Sequence, residues 1–591
     1  MSTTGPPRTA ATGAAVAPPA KGADGFYHPA SEDELIALVV KAGREHRQCR
    51  VRGAAHSVSH AIYSDPLEEI GNRTSHQRAP EGRNIDIMLD LYRGMRVVDP
   101  ERKIVEADAG IHLGEDPSDP TGTATEKTSL LWLLWQQGWT FSNLGGITHQ
   151  TVSGFSGMGS SGGSVQHSFN ENIYGFRVID AGGTVHEFTR DSDPDAFHAM
   201  SPNLGLLGVV SKMSFICEDA YNIGGKETVT GEDDCAIDLF GRGGIVRPSM
   251  ERFLRDTEYA RLLWWPQLGA ERVEVWQAER LAPDPDFVRH PYEEFTSHPE
   301  LAEVAISVIY TILGNLHDLS RTKEQFRRAR QHLRVALPKR SPFNKLGPLG
   351  SLLALVLSAC FGIAVFLIVT LLRPLTGFVE PRIPKLFPKL LTVFIKLDSE
   401  KKGKEKGQPQ HFQDHAWLGL PMDDAADDVL LPTDFTEIWL PLSRAEEAMQ
   451  LLRSYFRDVK SVEESYARTG LYGWELYAAQ ATPFWMSASH SDGEDEWQEG
   501  VFRIDPYWFG ANPGDPIKSF YLPLWNAFRE SGIPFRLHWG KYQPEIERGD
   551  RVWVNLFKSQ YPKWDEFLKL REQRDPKGIF LTSYWKQRFG L

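Results

Sequence analysis

Val51-Arg52-Gly53-Ala54-Ala55-His56-Ser57 decides how the rest of this chain is read. The stretch follows Gln48 to Val51, which is predicted as a short strand. Gly53, Ala54 and Ala55 carry almost no side chain, so successive backbone N–H groups there can approach an anion such as a pyrophosphate. Taken alone the pattern is weak, because a single loop histidine is more often a surface or satisfied core residue than a functional group.

Upstream, Ser31-Glu32-Asp33-Glu34 precedes the apolar-periodic Leu35, Leu38, Val39 and Ala42, the mark of a helix with an acidic first turn. Downstream, alternation in 85–90 and in 103–107 predicts two strands, and 128–137 a helix. Residues 143–164 are so rich in Gly and Ser that they are either a linker or a backbone-lined binding surface. Two strands joined by Ala181-Gly182-Gly183 follow closely as a hairpin, which favours the binding surface. From about residue 219 longer, aromatic-rich strands begin. The expected organisation is a disordered tail over 1–25, a first domain over 26–218, a second over 219–530 with an insertion at 340–400, and a segment over 531–591 that completes the site.

A chain of 591 residues is too long for one core, which agrees with two domains. The net charge of -13 argues against a nucleic-acid partner. Cys49, Cys217, Cys235 and Cys360 are scattered without a CxxC pair, so neither a metal site nor a disulfide framework is indicated and they read as small hydrophobes. The first 25 residues lack the apolar core of a secretory signal.

Residues 346–372 contain no charge over 27 positions, long enough as a helix to cross a bilayer. Lys339, Arg340 and Lys345 precede this run, and Arg373, Arg382, Lys385 and Lys389 follow it. Basic residues at both ends place both on the cytoplasmic side, which one straight span cannot satisfy. A re-entrant or interfacial segment can, with 384–397 as an amphipathic companion on anionic lipid. The expectation is a membrane-associated protein whose larger part is cytoplasmic.

The loop at 51–57, Gln150-Thr151-Val152-Ser153-Gly154 and Asn203-Leu204-Gly205-Leu206-Leu207-Gly208-Val209-Val210, in this order and spacing, resemble the FAD-binding domain of vanillyl-alcohol-oxidase-type (PCMH-fold) flavoproteins. Leu537-His538-Trp539-Gly540-Lys541, Tyr561-Pro562-Lys563-Trp564 and the run from Arg574 to Phe580 resemble the aldonolactone oxidase branch, which includes the L-gulonolactone, D-arabinonolactone and alditol oxidases. The resemblance implies an α+β fold: a two-part FAD-binding domain plus an antiparallel-sheet substrate (cap) domain, here carrying the apolar membrane-associating insertion.

The same resemblance assigns FAD to Arg52, Gly53, Ala54, Ala55, His56, Ser57, Gly145, Gly146, Thr151, Ser153, Gly154, Ser160, Gly208, Val209 and Val210. In most relatives the histidine of this loop is bonded covalently to the flavin, so His56 is the candidate anchor; others bind FAD without it. Gly145 matches a position where glycine admits dioxygen to the flavin. Lys541, Glu475, His538 and Tyr477 are the catalytic candidates, with Lys541 and Glu475 polarising the substrate. Two departures stand out. Relatives continue Glu475 as Glu-x-Arg where this chain has Tyr477, and their Thr-His-Gly reads Ser160-Ser161-Gly162. The implied activity is oxidation of a CH–OH group of a sugar lactone, polyol or related alcohol, with dioxygen as acceptor. A membrane-associated dehydrogenase using a quinone is the alternative, and a catalytically degenerate flavin-binding scaffold is opposed by the retained Glu475 and Lys541.

Overall fold

The computed structural model describes residues 16–293, 406–423, 433–459, 461–470, 473–510, 515–547 and 549–591, with shorter stretches between 327 and 401. Chain order begins earlier than expected. Lys21 bridges Tyr27 and the Gly22 N–H donates to the Phe26 carbonyl at 2.7 Å, a turn that Gly25 permits by its φ of 92°.

The helix Glu32–Glu45 forms as the sequence predicts. Ser31 caps it by accepting from the Glu34 N–H, and Leu35, Leu38, Val39 and Ala42 are its buried face. Each buried leucine or valine contributes about 1.5–3 kcal/mol. The strand Cys49–Arg52 pairs in parallel with Ile85–Met88. A five-stranded sheet lies alongside, in the order Met95–Asp99, Ile104–Asp108, Val209–Ile216, Ile173–Ile179, Val185–Thr189, with antiparallel pairing throughout. The 173–179 and 185–189 strands are the predicted hairpin. The glycine-rich stretch departs from the reading in one respect: it holds a seven-residue helix, Val152–Met158, capped by the Thr151 side chain and ended by Gly159 at φ 78°.

The second half is built on a nine-stranded antiparallel sheet among the described residues. Its order is Gln410–His415, Asn222–Gly231, Arg272–Arg280, Tyr259–Trp265, Trp474–Ala479, Val501–Phe509, Ile438–Pro441, Arg536–Leu537, with Thr433–Phe435 also pairing with Val501–Phe509. The chain then returns to the first half. The Cys49 N–H donates to the Ile579 carbonyl at 2.8 Å, the Ala181 N–H to Arg574 at 3.0 Å, and the Trp585 indole to Ala61 at 3.1 Å. The strand that leads into the 51–57 loop is therefore held by residues more than five hundred positions later.

The run 346–372 lies largely, and its companion 384–397 partly, outside the described residues. Among the described residues no helix is long and apolar enough to cross a membrane. Cys49, Cys217 and Cys235 are buried free thiols, and burial pushes all three thiol pKa values up, as suits small core hydrophobes. Cys360 is outside the described residues.

Candidate active site

The 51–57 loop, the helix Val152–Met158, the start of the strand Val209–Ile216 and the turn at 538–541 meet around one cavity. Gly53, Ala54, Ala55, His56, Ser57, Ser153, Gly154, Ser160, Gly208, Val209, Val210, His538 and Lys541 all line it. Close backbone approach explains the small residues. A side chain at Gly53 would run into the Thr151 hydroxyl, and a Cβ on Gly208, whose φ is 125°, would lie 2.6 Å from the Ile179 carbonyl oxygen.

Ala55 sits at φ 65°, a left-handed conformation that costs a residue with a Cβ about 1–2 kcal/mol. Among the described residues no acceptor pairs with the N–H groups of Ala54, Ala55 or Ser57. Arg50 also lines the cavity. Its guanidinium donates to the carbonyls of Ala61, Leu204, Gly205 and Phe580, and burial draws its pKa down to about 10. Free amides beside a buried cation form a cradle for a polyanion, and the residues present fit the pyrophosphate of FAD.

At the other end of the cavity the Lys541 ammonium donates to the His56 carbonyl at 3.1 Å and lies 3.9 Å from the Phe435 ring centroid. The Val58 N–H donates to the Gly540 carbonyl at 2.8 Å, and a Cβ on Gly540 would come within 2.8 Å of the Ser57 hydroxyl. Glycine between His538 and Lys541 thus lets the two loops close on each other. The His538 Nδ1 accepts from the Gly540 N–H at 3.1 Å, which puts the ring proton on Nε2. Burial holds the imidazole down to about pKa 4 although Glu437 opposes the shift, so His538 is neutral at pH 7. Its Nε2–H is buried without a protein partner.

Glu475 and Tyr477 do not line this cavity. They border a smaller pocket with Asn143, Leu144, Gly146 and Arg261. Glu475 accepts a short hydrogen bond from the Tyr507 hydroxyl, and burial raises its pKa to about 7, Asp423 adding to the shift and Arg261 opposing it. Tyr477 donates to Asp505 at 3.0 Å, and its ring lies 3.8 Å from the Arg503 guanidinium. Arg503 in turn donates to Glu437 at 2.9 Å and to the Ser161 carbonyl at 2.9 Å, while the Glu437 carbonyl accepts from the His538 N–H at 3.2 Å. One chain of polar contacts therefore joins the Tyr477 pocket to the His538 cavity.

Four of the residues expected at the cofactor stand outside this cavity lining. Arg52 does not line the cavity, because Gln77 takes its guanidinium in a short hydrogen bond and Phe26 covers it at 5.5 Å; Arg50, two residues earlier, stands there instead. Thr151 acts from behind, packed on Gly53 and capping the helix. Gly145 and Gly146 are outside the cavity lining; Gly146 borders the smaller pocket, and a Cβ added to Gly145 would meet the Phe155 ring at 2.9 Å. The sequence reading also missed Arg50, Arg261, Arg503 and Asp505. Their signal was alternation: in Val501–Phe509, Arg503, Asp505 and Tyr507 share one sheet face at period two. Asp116 and His149 were missed as well, and their ligand atoms and that of His56 all lie within 4.8 Å of one another.

Residues 513–588 match the D-arabinono-1,4-lactone oxidase family. The resemblance read in the sequence holds. L-gulonolactone oxidase of Mus musculus is 24% identical over 253 residues, 42% of this chain and 47% of that protein. D-arabinono-1,4-lactone oxidase of Yarrowia lipolytica is 24% identical over 260 residues, 43% of this chain and 41% of the relative. The chain spans just under half the length of these curated relatives. Across almost the whole chain the fold is that of cholesterol oxidase from B. sterolicum, with a TM-score of 0.61 and 13% identity over 95% of this chain and 94% of that one.

Proposed function

We propose that this chain is an FAD-dependent oxidoreductase that oxidises a CH–OH group of a sugar lactone or related polyol. The observation that carries the reading is the meeting of the 51–57 loop with His538 and Lys541 around a cavity of free amides. Bound FAD supplies the two-electron acceptor for the hydride that leaves the substrate carbon. Gly53 to Ser57, Arg50 and the amides of Ala54, Ala55 and Ser57 would hold its pyrophosphate, and His56, in the same loop, is its proposed covalent anchor. Lys541 and the Nε2–H of His538 stabilise negative charge that builds in the cavity as electrons arrive. Glu475, with a pKa near neutrality, takes the hydroxyl proton. Tyr507 orients Glu475, and Arg503 holds Tyr477 from the neighbouring strand and pairs with Asp505 on its own.

Dioxygen is the acceptor in this reading. The uncharged run 346–372 and its basic flanks support a second one, a membrane-associated dehydrogenase on the cytoplasmic side that passes electrons to a quinone. The experiment is anaerobic addition of D-arabinono-1,4-lactone or L-gulonolactone to the flavin-loaded protein, followed by air. Bleaching and rapid recovery of the yellow colour support the oxidase. Bleaching that persists in air and reverses with a quinone moves the reading to the dehydrogenase, and failure of lactones and polyols alike to bleach it overturns the proposed function.

A further inference from the structure

Oxidation of a hydroxyl releases a proton inside a buried pocket, and the sheet beneath that pocket carries a line of carboxyls leading away from it. Glu274 and Glu475 lie on the two strands flanking Tyr259–Trp265, each directly opposite Leu263, so both side chains stand on the same face as Arg261. Arg261 spans them. Its Nε lies 3.9 Å from Glu475 and its Nη2 3.8 Å from Glu274, and neither nitrogen makes a hydrogen bond. Its Nη1 is held by Asp423. The Tyr292 hydroxyl donates to Glu274 at 3.2 Å and is also within hydrogen-bonding reach of Glu227. Glu227 shares this face, two positions from Val229, which is the register partner of Glu274. Beyond it stand Lys401 and Asp398, 2.7 Å apart with side chains 13% and 12% exposed.

The charges along this line do not balance. Asp423, Glu475 and Glu274 surround one guanidinium, and Glu227 keeps one buried carboxylate oxygen without a partner. Buried carboxylates in such excess hold protons, and a line of groups that bind and release protons near neutrality is a path. Burial, reinforced by Glu227 and Asp423 and opposed by Arg261, raises Glu274 to about 8, close to the value of about 7 at Glu475.

We propose that Glu274, Tyr292 and Glu227 form a relay that carries the substrate's hydroxyl proton from Glu475 across the sheet to the Lys401–Asp398 edge. The relay rests on the proposed oxidation. The C–H electron pair leaves as hydride to the flavin, and the O–H proton passes to Glu475. From there it crosses to Glu274 through a water molecule beside the Arg261 Nε and Nη2. Glu274 hands a proton to the Tyr292 oxygen as the Tyr292 proton passes to Glu227, and Glu227 releases it to water. Each residue ends the cycle in the state in which it began.

The test compares wild type with Glu274→Gln and Tyr292→Phe in anaerobic stopped flow with D-arabinono-1,4-lactone and a pH-indicator dye. In the wild type the dye signal should follow flavin bleaching. In both variants bleaching should persist in the first turnover while proton release lags by tenfold or more. Proton release that keeps pace with bleaching in both variants overturns the relay; Tyr292→Phe alone decides if Glu274→Gln does not fold. If lactones and polyols alike fail to bleach the wild type, the proposed oxidation falls, and the relay is decided by infrared titration of the flavin-loaded protein. A protonated carboxyl band that persists above pH 7 and disappears in Glu274→Gln supports it, and absence of that band in the wild type overturns it.

Discussion

Arg503 stands directly opposite Tyr477 on the neighbouring strand, with its guanidinium 3.8 Å from the tyrosine ring centroid. The arginine absent from the Glu-x-Arg pattern thus has a counterpart one strand away, stacked between Tyr477 and Trp439 and paired with Glu437 and Asp505. Arg503→Met should leave two buried carboxylates uncompensated and cost about 3–5 kcal/mol, read from chemical denaturation. Tyr477→Arg, which restores the pattern on paper, should also destabilise, because two guanidinium groups would then face each other across the strand pair.

His56 carries the covalent-anchor expectation. Acid-precipitated wild type should stay yellow, and His56→Ala should release its flavin into the supernatant. Colour lost from the wild-type pellet would remove the covalent bond from this account without touching the fold.

Lys541 and His538 are the two donors at one end of the cavity. Lys541→Met should slow anaerobic flavin reduction by about 100- to 1,000-fold, the usual cost of losing a preorganised charge partner. A smaller drop for His538→Ala is expected, since a neutral N–H is lost there. An unchanged reduction rate in Lys541→Met would take that residue out of the chemistry.

The pH dependence of stability has a definite sign. Glu475 and Glu274 bind protons more tightly in the folded protein, at about 7 and about 8, than in the unfolded chain at 4.5. Their contribution is complete below 4.5 and is lost as pH rises through 7 and 8. His538 works in the opposite direction, with stability lost as pH falls from 6.5 toward 4, so the carboxyl effect is clearest above pH 6.5. Melting temperature should fall between pH 6.5 and 8.5, and Glu274→Gln should flatten that slope.

Gly145→Ala is a packing experiment before it is a test of oxygen access. Its methyl group would meet the Phe155 ring at 2.9 Å, an overpacking that should cost about 1–3 kcal/mol and be partly relieved by Phe155→Leu. Oxygen reactivity is best compared in the double variant, where the methyl group has room.

The first half of the chain was legible because its elements are short and locally marked: Ser31 caps, Gly182-Gly183 turns, and residues 51–57 carry the cofactor pattern. The second half was legible as antiparallel strands but not as a site. Arg261, Glu274, Glu475 and Arg503 are 242 positions apart from first to last (503 minus 261), and only the register of the sheet reveals that they share one face. Arg52 shows a related effect: the resemblance assigned it to the loop's cofactor, while Phe26 and Gln77 take its guanidinium and Arg50 lines the cavity.

The Arg50 guanidinium, which leans on the Phe580 carbonyl, has a bearing on biogenesis. The cradle at residues 50–57 is emitted early from the ribosome, yet its walls include residues 538, 541 and 580. Completion of the cradle therefore waits for nearly all of the described chain to emerge.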